Sequence, residues 1–307
     1  MIISLLLLIL TSISCSLLGV FLVLRRVSML TDAISHTVLL GIVLAFFIIP
    51  DLSSPILILG ASAMGFLTVF LVEILGSKGL SKYDEAIGVV FPILFSAAII
   101  LISIFFRNVH LDSDMVLDGE VLFASLVKID ILGFKLTQAI FYQVILLVVI
   151  LIFIISQFKK LQISTFDSEF AYLIGVPTTL IFYMLMAFTS LSAVTSFTSV
   201  GAILVISFFI GPSSTALLFS KTLKQTLIFS SLIGSINAAI GFYLALSLNV
   251  SIAGTVAAVN MLVYLVLLSI KKYTIVNKLN KKVNASKDMV VNENFKSTKR
   301  RISNNNI

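Results

Sequence analysis

Charge is scarce in this chain. Only 11% of its residues are Asp, Glu, Lys or Arg, against about 25% in a soluble domain. With 59% hydrophobic residues over 307 positions and a mean hydropathy of +1.15, a water-soluble core is excluded. A polytopic membrane protein is expected instead. Tryptophan is missing altogether. The single cysteine, Cys15, excludes an internal disulfide, and in its apolar run it reads as a small buried residue. The two histidines, His36 and His110, lie far apart and give no credible Ser/His/Asp set. No G-x-x-x-x-G-K-[ST] loop occurs, since the run from Gly76 to Lys82 lacks its order, so nucleotide binding of that type is excluded. No H-E-x-x-H occurs either, which leaves a zinc protease of that type unsupported. The chain is therefore not expected to be an enzyme.

What is present is a succession of apolar runs. Lengths that cross a bilayer, roughly 17–25 residues, occur at 1–24, 29–49, 54–76, 86–106, 137–158, 225–247 and 252–270. A further apolar stretch covers 178–212. It is too long for one span, and the small polar patch Thr195–Gly201 divides it in two. The expected fold is all-α, a polytopic transmembrane helical bundle of eight to nine spans. The first run has no preceding positive region and no small-residue cleavage site, so it reads as a retained span.

Positive charge is distributed unevenly. Residues 271–307 carry ten Lys/Arg against Asp288 and Glu293, and the remainder is nearly neutral. Two domains follow: a membrane domain over 1–270 and a basic, disordered tail over 271–307. Beside a membrane domain, such a tail marks the cytoplasmic side and touches anionic lipid rather than nucleic acid. With Arg25 and Arg26 placed inside, alternation puts 18 of the 21 positive residues in the cytoplasm. Only Arg107, Lys128 and Lys135 fall outside. The N-terminus is then external and the C-terminus cytoplasmic. Residues 119–136 are too polar to span and are expected along the outer interface.

Asp32 and His36 stand four residues apart within the second apolar run. On a helix both side chains share one face. Ionisable groups are costly in a bilayer and usually face a protein interior or a watery path. Counted from Arg26 at ~1.5 Å per residue, His36 lies near the middle of a ~30 Å hydrocarbon core. A carboxylate and an imidazole suit a divalent transition metal, and a symmetric homodimer would double the pair to four N/O ligands. The rival reading is a pair that only packs helices. The external segment with His110, Asp112, Asp114, Asp118 and Glu120 reads first as a docking surface, with cation binding second. Glu73 sits near the cytoplasmic end of its span, and Asn237 and Asn260 read as helix glue.

Four segments together resemble a known family. Leu24-Arg-Arg-Val-Ser-Met-Leu-Thr-Asp-Ala-Ile-Ser-His is similar to the second-span signature of the manganese/zinc/iron permeases of ABC importers (ABC-3 type). In order come the external His110-Leu-Asp-Ser-Asp run, Phe166-Asp-Ser-Glu-Phe-Ala-Tyr-Leu-Ile-Gly, and Ser199-Val-Gly-Ala-Ile followed by Gly211-Pro-Ser-Ser. The resemblance covers roughly residues 15–270 and departs at Leu117-Asp-Gly-Glu and at Gly211-Pro212. It implies a type II ABC importer-like permease in the bacterial plasma (inner) membrane, with Asp32 and His36 lining the path of Mn2+, Zn2+ or Fe2+. It also implies a second permease chain, ABC ATPase subunits docked at about Pro212–Lys224, and an external metal-binding protein. No tightly bound cofactor is implied. The alternative function is a proton-coupled secondary cation transporter that uses the same pair as a proton relay.

Overall fold

The computed structural model describes residues 1–50, 54–77, 83–106, 128–131 and 134–274. Apolar runs become helices because a helix satisfies every backbone donor and acceptor internally. In order these are α1 (Ile2–Leu24), α2 (Met29–Ile48), α3 (Pro55–Ser77), α4 (Tyr83–Phe105), α5 (Gln138–Ser156), α6 (Phe158–Phe166), α7 (Ser168–Leu173), α8 (Thr178–Val200), α9 (Ala202–Phe219) and α10 (Leu223–Leu248). A final helix, α11, runs over Ile252–Thr274. Nine helices among the described residues are long and apolar enough to span. The short α6 and α7 are not among them. Among the described residues the one departure from an all-helical fold is a hairpin, β1 (Lys128–Ile131) with β2 (Phe134–Thr137), in which Lys128 pairs with Thr137. All of it but Thr137 falls within the segment 119–136 expected at the outer interface.

The chain divides into two compact units, Met1–Tyr264 and Leu265–Ile307. In the second, the described residues are the helical 265–274, so the helix passes the expected domain limit at 270. The rest of the basic tail lies outside the described residues, as does the acidic segment from His110 to Glu120.

Within the first unit α1 is central, packing against α5, α9 and α10. A second group, α2 with α3 and α4, joins it through α8, which lies against α1, α2 and α3. Buried hydroxyls and amides tie helices where the polar groups would otherwise face hydrocarbon. Gln143 on α5 donates to Ser14 on α1 at 3.1 Å and accepts from Ser196 on α8 at 3.4 Å. Asn237 on α10 donates to Asn260 on α11 at 2.8 Å, and Asn260 donates to Ser207 on α9 at 2.9 Å. The asparagines are glue.

Two breaks matter for the site. The long apolar stretch is divided at one residue, Gly201, whose φ of 85° and ψ of 153° suit glycine alone. Past it, α9 continues through Pro212 to Phe219, beyond the expected end at 212. The first break is the α1–α2 turn. The Arg26 amide bonds Val23 O and the Val27 amide bonds Leu22 O, a Schellman end with Arg26 at φ 60°. Glycine usually holds that position; an arginine there costs about 1 kcal/mol or more.

Helices α2 and α3 approach closely. A Cβ on Gly41 would meet the carbonyl oxygen of Gly60 and lie 2.8 Å from the Ala61 Cα. Backbone cannot give way as a flexible side chain does. Gly41→Ala is therefore expected to cost about 1–3 kcal/mol, read as a lower unfolding temperature in detergent. An unchanged unfolding temperature would show that the two helices are not held at this distance.

Candidate functional site

Helix α2 is buried over most of its surface, but one face is open at both ends. Met29, Asp32 and His36 open it at the start and Leu44 and Phe47 near the finish, with Leu40 and Val43 of the same face buried between them. The side chain of Asp32 is 50% exposed and that of His36 29%. His36 Nε2 lies 3.7 Å from Asp32 Oδ1. That is a contact within one turn, long for a hydrogen bond. Asp32 stands in the first turn of α2, where the helix dipole favours a carboxylate.

The surroundings hold the imidazole by shape rather than by hydrogen bonds. Its ring rests on Phe91 and Phe95 of α4, at centroid distances of 5.1 and 5.5 Å. Its Nδ1 is buried without a partner among the described residues. Neighbouring hydroxyls on α2 are all committed: Thr31 donates to Ser28 O, Ser35 to Thr31 O, and Thr37 to Ala33 O. The polar link from α2 to α3 is made by Thr68 donating to Thr37 at 2.7 Å. Helix glue is thus supplied by threonines, and the Asp32/His36 pair is left uncommitted. No group of three or more His, Cys, Asp or Glu able to hold a metal occurs among the described residues. One chain therefore presents two candidate ligands, and Glu73 does not join them. Glu73 is bonded by Tyr183 of α8, and its Oε2 is buried without a hydrogen-bond partner among the described residues.

The end of the bundle carrying the α1–α2 turn also carries α6, α7 and the α9–α10 turn. Within the expected docking segment Pro212–Lys224, the first half is core. Pro212, Ser213, Thr215 and Ala216 are buried in α9, and Ser213 donates to Ser16 O of α1 at 3.1 Å. Pro212 is accommodated because Gly234 of α10 leaves room for its ring, 3.2 Å from where a Cβ would stand. Accessible residues begin at Phe219 and include Lys221, Thr222 and Lys224. This turn is firmly built: Thr222 caps α10 by accepting from the Gln225 amide, Gln225 Oε1 accepts from the Lys221 amide, and Ser220 and Thr226 share a 2.7 Å hydrogen bond. Lys224 Nζ sits 5.6 Å from the centre of the Phe158 ring on α6.

Sequence reasoning missed the surface next to it. Asp167 caps α7 by accepting from the Phe170 amide at 2.8 Å. The six-residue helix then turns Phe170, Tyr172 and Leu173 outward, with Tyr172 73% and Leu173 80% exposed. Phe166 and Ile174 extend the patch. The signal was available: an N-capping aspartate ahead of an apolar cluster, in a segment too short and too charged to span.

Comparison with known proteins gives this geometry a context. Residues 1–271 match the ABC 3 transport family. The chain is 43% identical over 257 residues to the manganese transport system membrane protein MntD of Bacillus subtilis, covering 83% of this chain and 87% of that protein. It is 40% identical over 268 residues to the zinc transport system membrane protein TroD of Treponema pallidum, covering 87% and 73%. In structure it resembles PsaBC from Streptococcus pneumoniae, solved in complex with Fab, with a TM-score of 0.71, 29% identity, and coverage of 86% of this chain and 89% of that one. Nine apolar helices among the described residues, a partly exposed acid–imidazole pair in the second of them and a family match over residues 1–271 lead to one assignment: the chain belongs to the ABC 3 transport family.

Proposed function

We propose that this chain is the membrane permease subunit of an ATP-driven importer of divalent transition metal ions, with Asp32 and His36 as ligands on the transport path. The observation that carries the reading is that this pair is the uncommitted polar element of α2, partly exposed near the start of the helix while all three of the helix's hydroxyls donate to backbone carbonyls. A crossing ion needs partial replacement of its hydration shell by ligands weak enough to release it. Carboxylate oxygen with imidazole nitrogen suits Mn2+ and Zn2+, and Fe2+ by the same chemistry. Two ligands per chain are too few for a closed site, so a second permease copy supplies the other two across a symmetric interface.

Partners follow the same logic. ABC ATPase subunits dock on the accessible part of Pro212–Lys224, from Phe219 onward, together with the apolar patch of α7. An external metal-binding protein delivers the ion to the acidic segment from His110 to Glu120. The chain sits in the plasma membrane with its N-terminus outside, and its basic tail lies in the cytoplasm against anionic lipid. ATP hydrolysis belongs to the partner chain.

The test is uptake of radiolabelled Mn2+, Zn2+ and Fe2+ by proteoliposomes holding this chain with its ATPase and binding protein. The expected result is accumulation of one metal that requires ATP. Accumulation that ignores ATP and collapses with a proton uncoupler would move the chain to proton-coupled secondary cation transport.

A further inference from the structure

Arg25 is a charged side chain placed where three elements meet. Its Nη2 donates to Ser164 at 2.8 Å and its Nε to Thr165 at 3.2 Å, both on α6. Its guanidinium lies 6.0 Å from the centre of the Phe182 ring on α8. No carboxylate among the described residues pairs with it within 4.0 Å. Burial lowers its pKa to about 10, which leaves it charged at neutral pH. A half-buried cation held by hydroxyls and an aromatic face, with no counter-ion among the described residues, is an unusual way to close a bundle. A neutral side chain would do so without the desolvation cost.

Its position in the chain supplies the reason. On one side, Thr165 is followed by Phe166 and then by the Asp167 cap of α7, so Arg25 grips the base of the exposed patch. On the other, Arg25 leads directly into the Schellman turn, in which the Arg26 and Val27 amides are tied back to Val23 O and Leu22 O of α1 by two nested hydrogen bonds. Leu30 and Thr31 then bond back to Val27 O and Ser28 O, so the turn runs into α2 without a slack residue. Asp32 follows immediately. Between α6 and the candidate ligands there is thus one two-pronged side chain, one rigid turn and the first turn of a helix.

We infer that Arg25 is the positioning residue that transmits displacement of α6 and α7 to α2, and so couples the ATPase to the Asp32/His36 pair. The inference rests on the reading of α7 as part of the ATPase surface. A guanidinium fork suits this task because two parallel hydrogen bonds fix direction as well as distance; a lysine ammonium would keep the charge and lose the direction.

The experiment uses the full complex in proteoliposomes and reads metal uptake per ATP hydrolysed. Two variants are compared with the unaltered chain: Arg25→Lys, and Ser164→Ala with Thr165→Ala, which keeps Arg25 and removes its partners. In both, uptake per ATP is expected to fall about tenfold, corresponding to about 1.4 kcal/mol of lost coupling. The ATPase should stay bound and the unfolding temperature in detergent should hold. An unchanged ratio in both variants overturns the inference. So does loss of the ATPase from the complex, because Arg25 would then only shape the docking surface. The docking reading is tested separately on the otherwise unaltered chain: if Leu173→Asp retains the ATPase, that reading fails by itself, and the ratio still reports on Arg25.

Discussion

Asp32→Asn and His36→Ala should each lower ATP-driven metal uptake by at least about tenfold, the loss produced by removing about 1.4 kcal/mol of ion stabilisation from the transport barrier. The asparagine variant is the sharper of the two. It keeps the size of the side chain and an oxygen acceptor, and removes only the charge. A pair that merely packs helices tolerates this change, since an amide makes the same or more hydrogen bonds in a membrane. A ligand does not, because a divalent ion held by a neutral amide loses its largest attraction. His36→Ala should leave Phe91 and Phe95 without the ring they rest against, so its folding must be checked by unfolding temperature alongside uptake. Wild-type uptake in Asp32→Asn, with the chain inserted normally, would remove the pair from the path.

Leu173→Asp should detach the ATPase. Leu173 and Tyr172 stand 80% and 73% exposed at the end of a capped six-residue helix. Large apolar side chains held outward on a short, ordered helix are poor for solubility and good for contact. Residues of this kind at the centre of an interface lose about 2 kcal/mol or more when truncated, about a thirtyfold loss of affinity. An aspartate adds a desolvated charge to that loss. Copurification of the ATPase with the tagged permease measures it directly. Lys221→Glu on the neighbouring turn should weaken the complex less, because a charge at the rim acts mainly on association rate. A permease carrying Leu173→Asp that still holds its ATPase would place the docking surface elsewhere.

Much of this architecture is legible in the sequence, for a specific reason. Hydrocarbon forces each span to be long, apolar and helical, so α1, α2, α3, α5 and α10 begin and end within two residues of their apolar runs. Boundaries set by other forces are less legible. Gly211-Pro212 reads as a stop, yet α9 continues to Phe219, because Pro212 packs into the space left by Gly234 and the Thr215 hydroxyl donates to the Gly211 carbonyl. The Asp32/His36 pair is legible because ionisable groups are rare in such a chain. Its uncommitted state is not, since it depends on which of many serine and threonine hydroxyls are already spent on backbone. The partners of Arg25 are 139 and 140 residues away, and no local pattern points to them.

The single cysteine has a practical consequence. Cys15 is fully buried in α1, its sulfur 3.8 Å from the Ser192 hydroxyl. A thiol reagent arriving from water has no route to it in the folded chain, and the absence of tryptophan leaves the ultraviolet emission background low. A cysteine introduced at Leu173 would therefore be the one reactive thiol, without first removing the native residue. A tryptophan introduced at Phe95 would be the one indole, placed against His36. Labels at those two points would let the patch and the imidazole be followed optically in the same molecule as ATP is supplied.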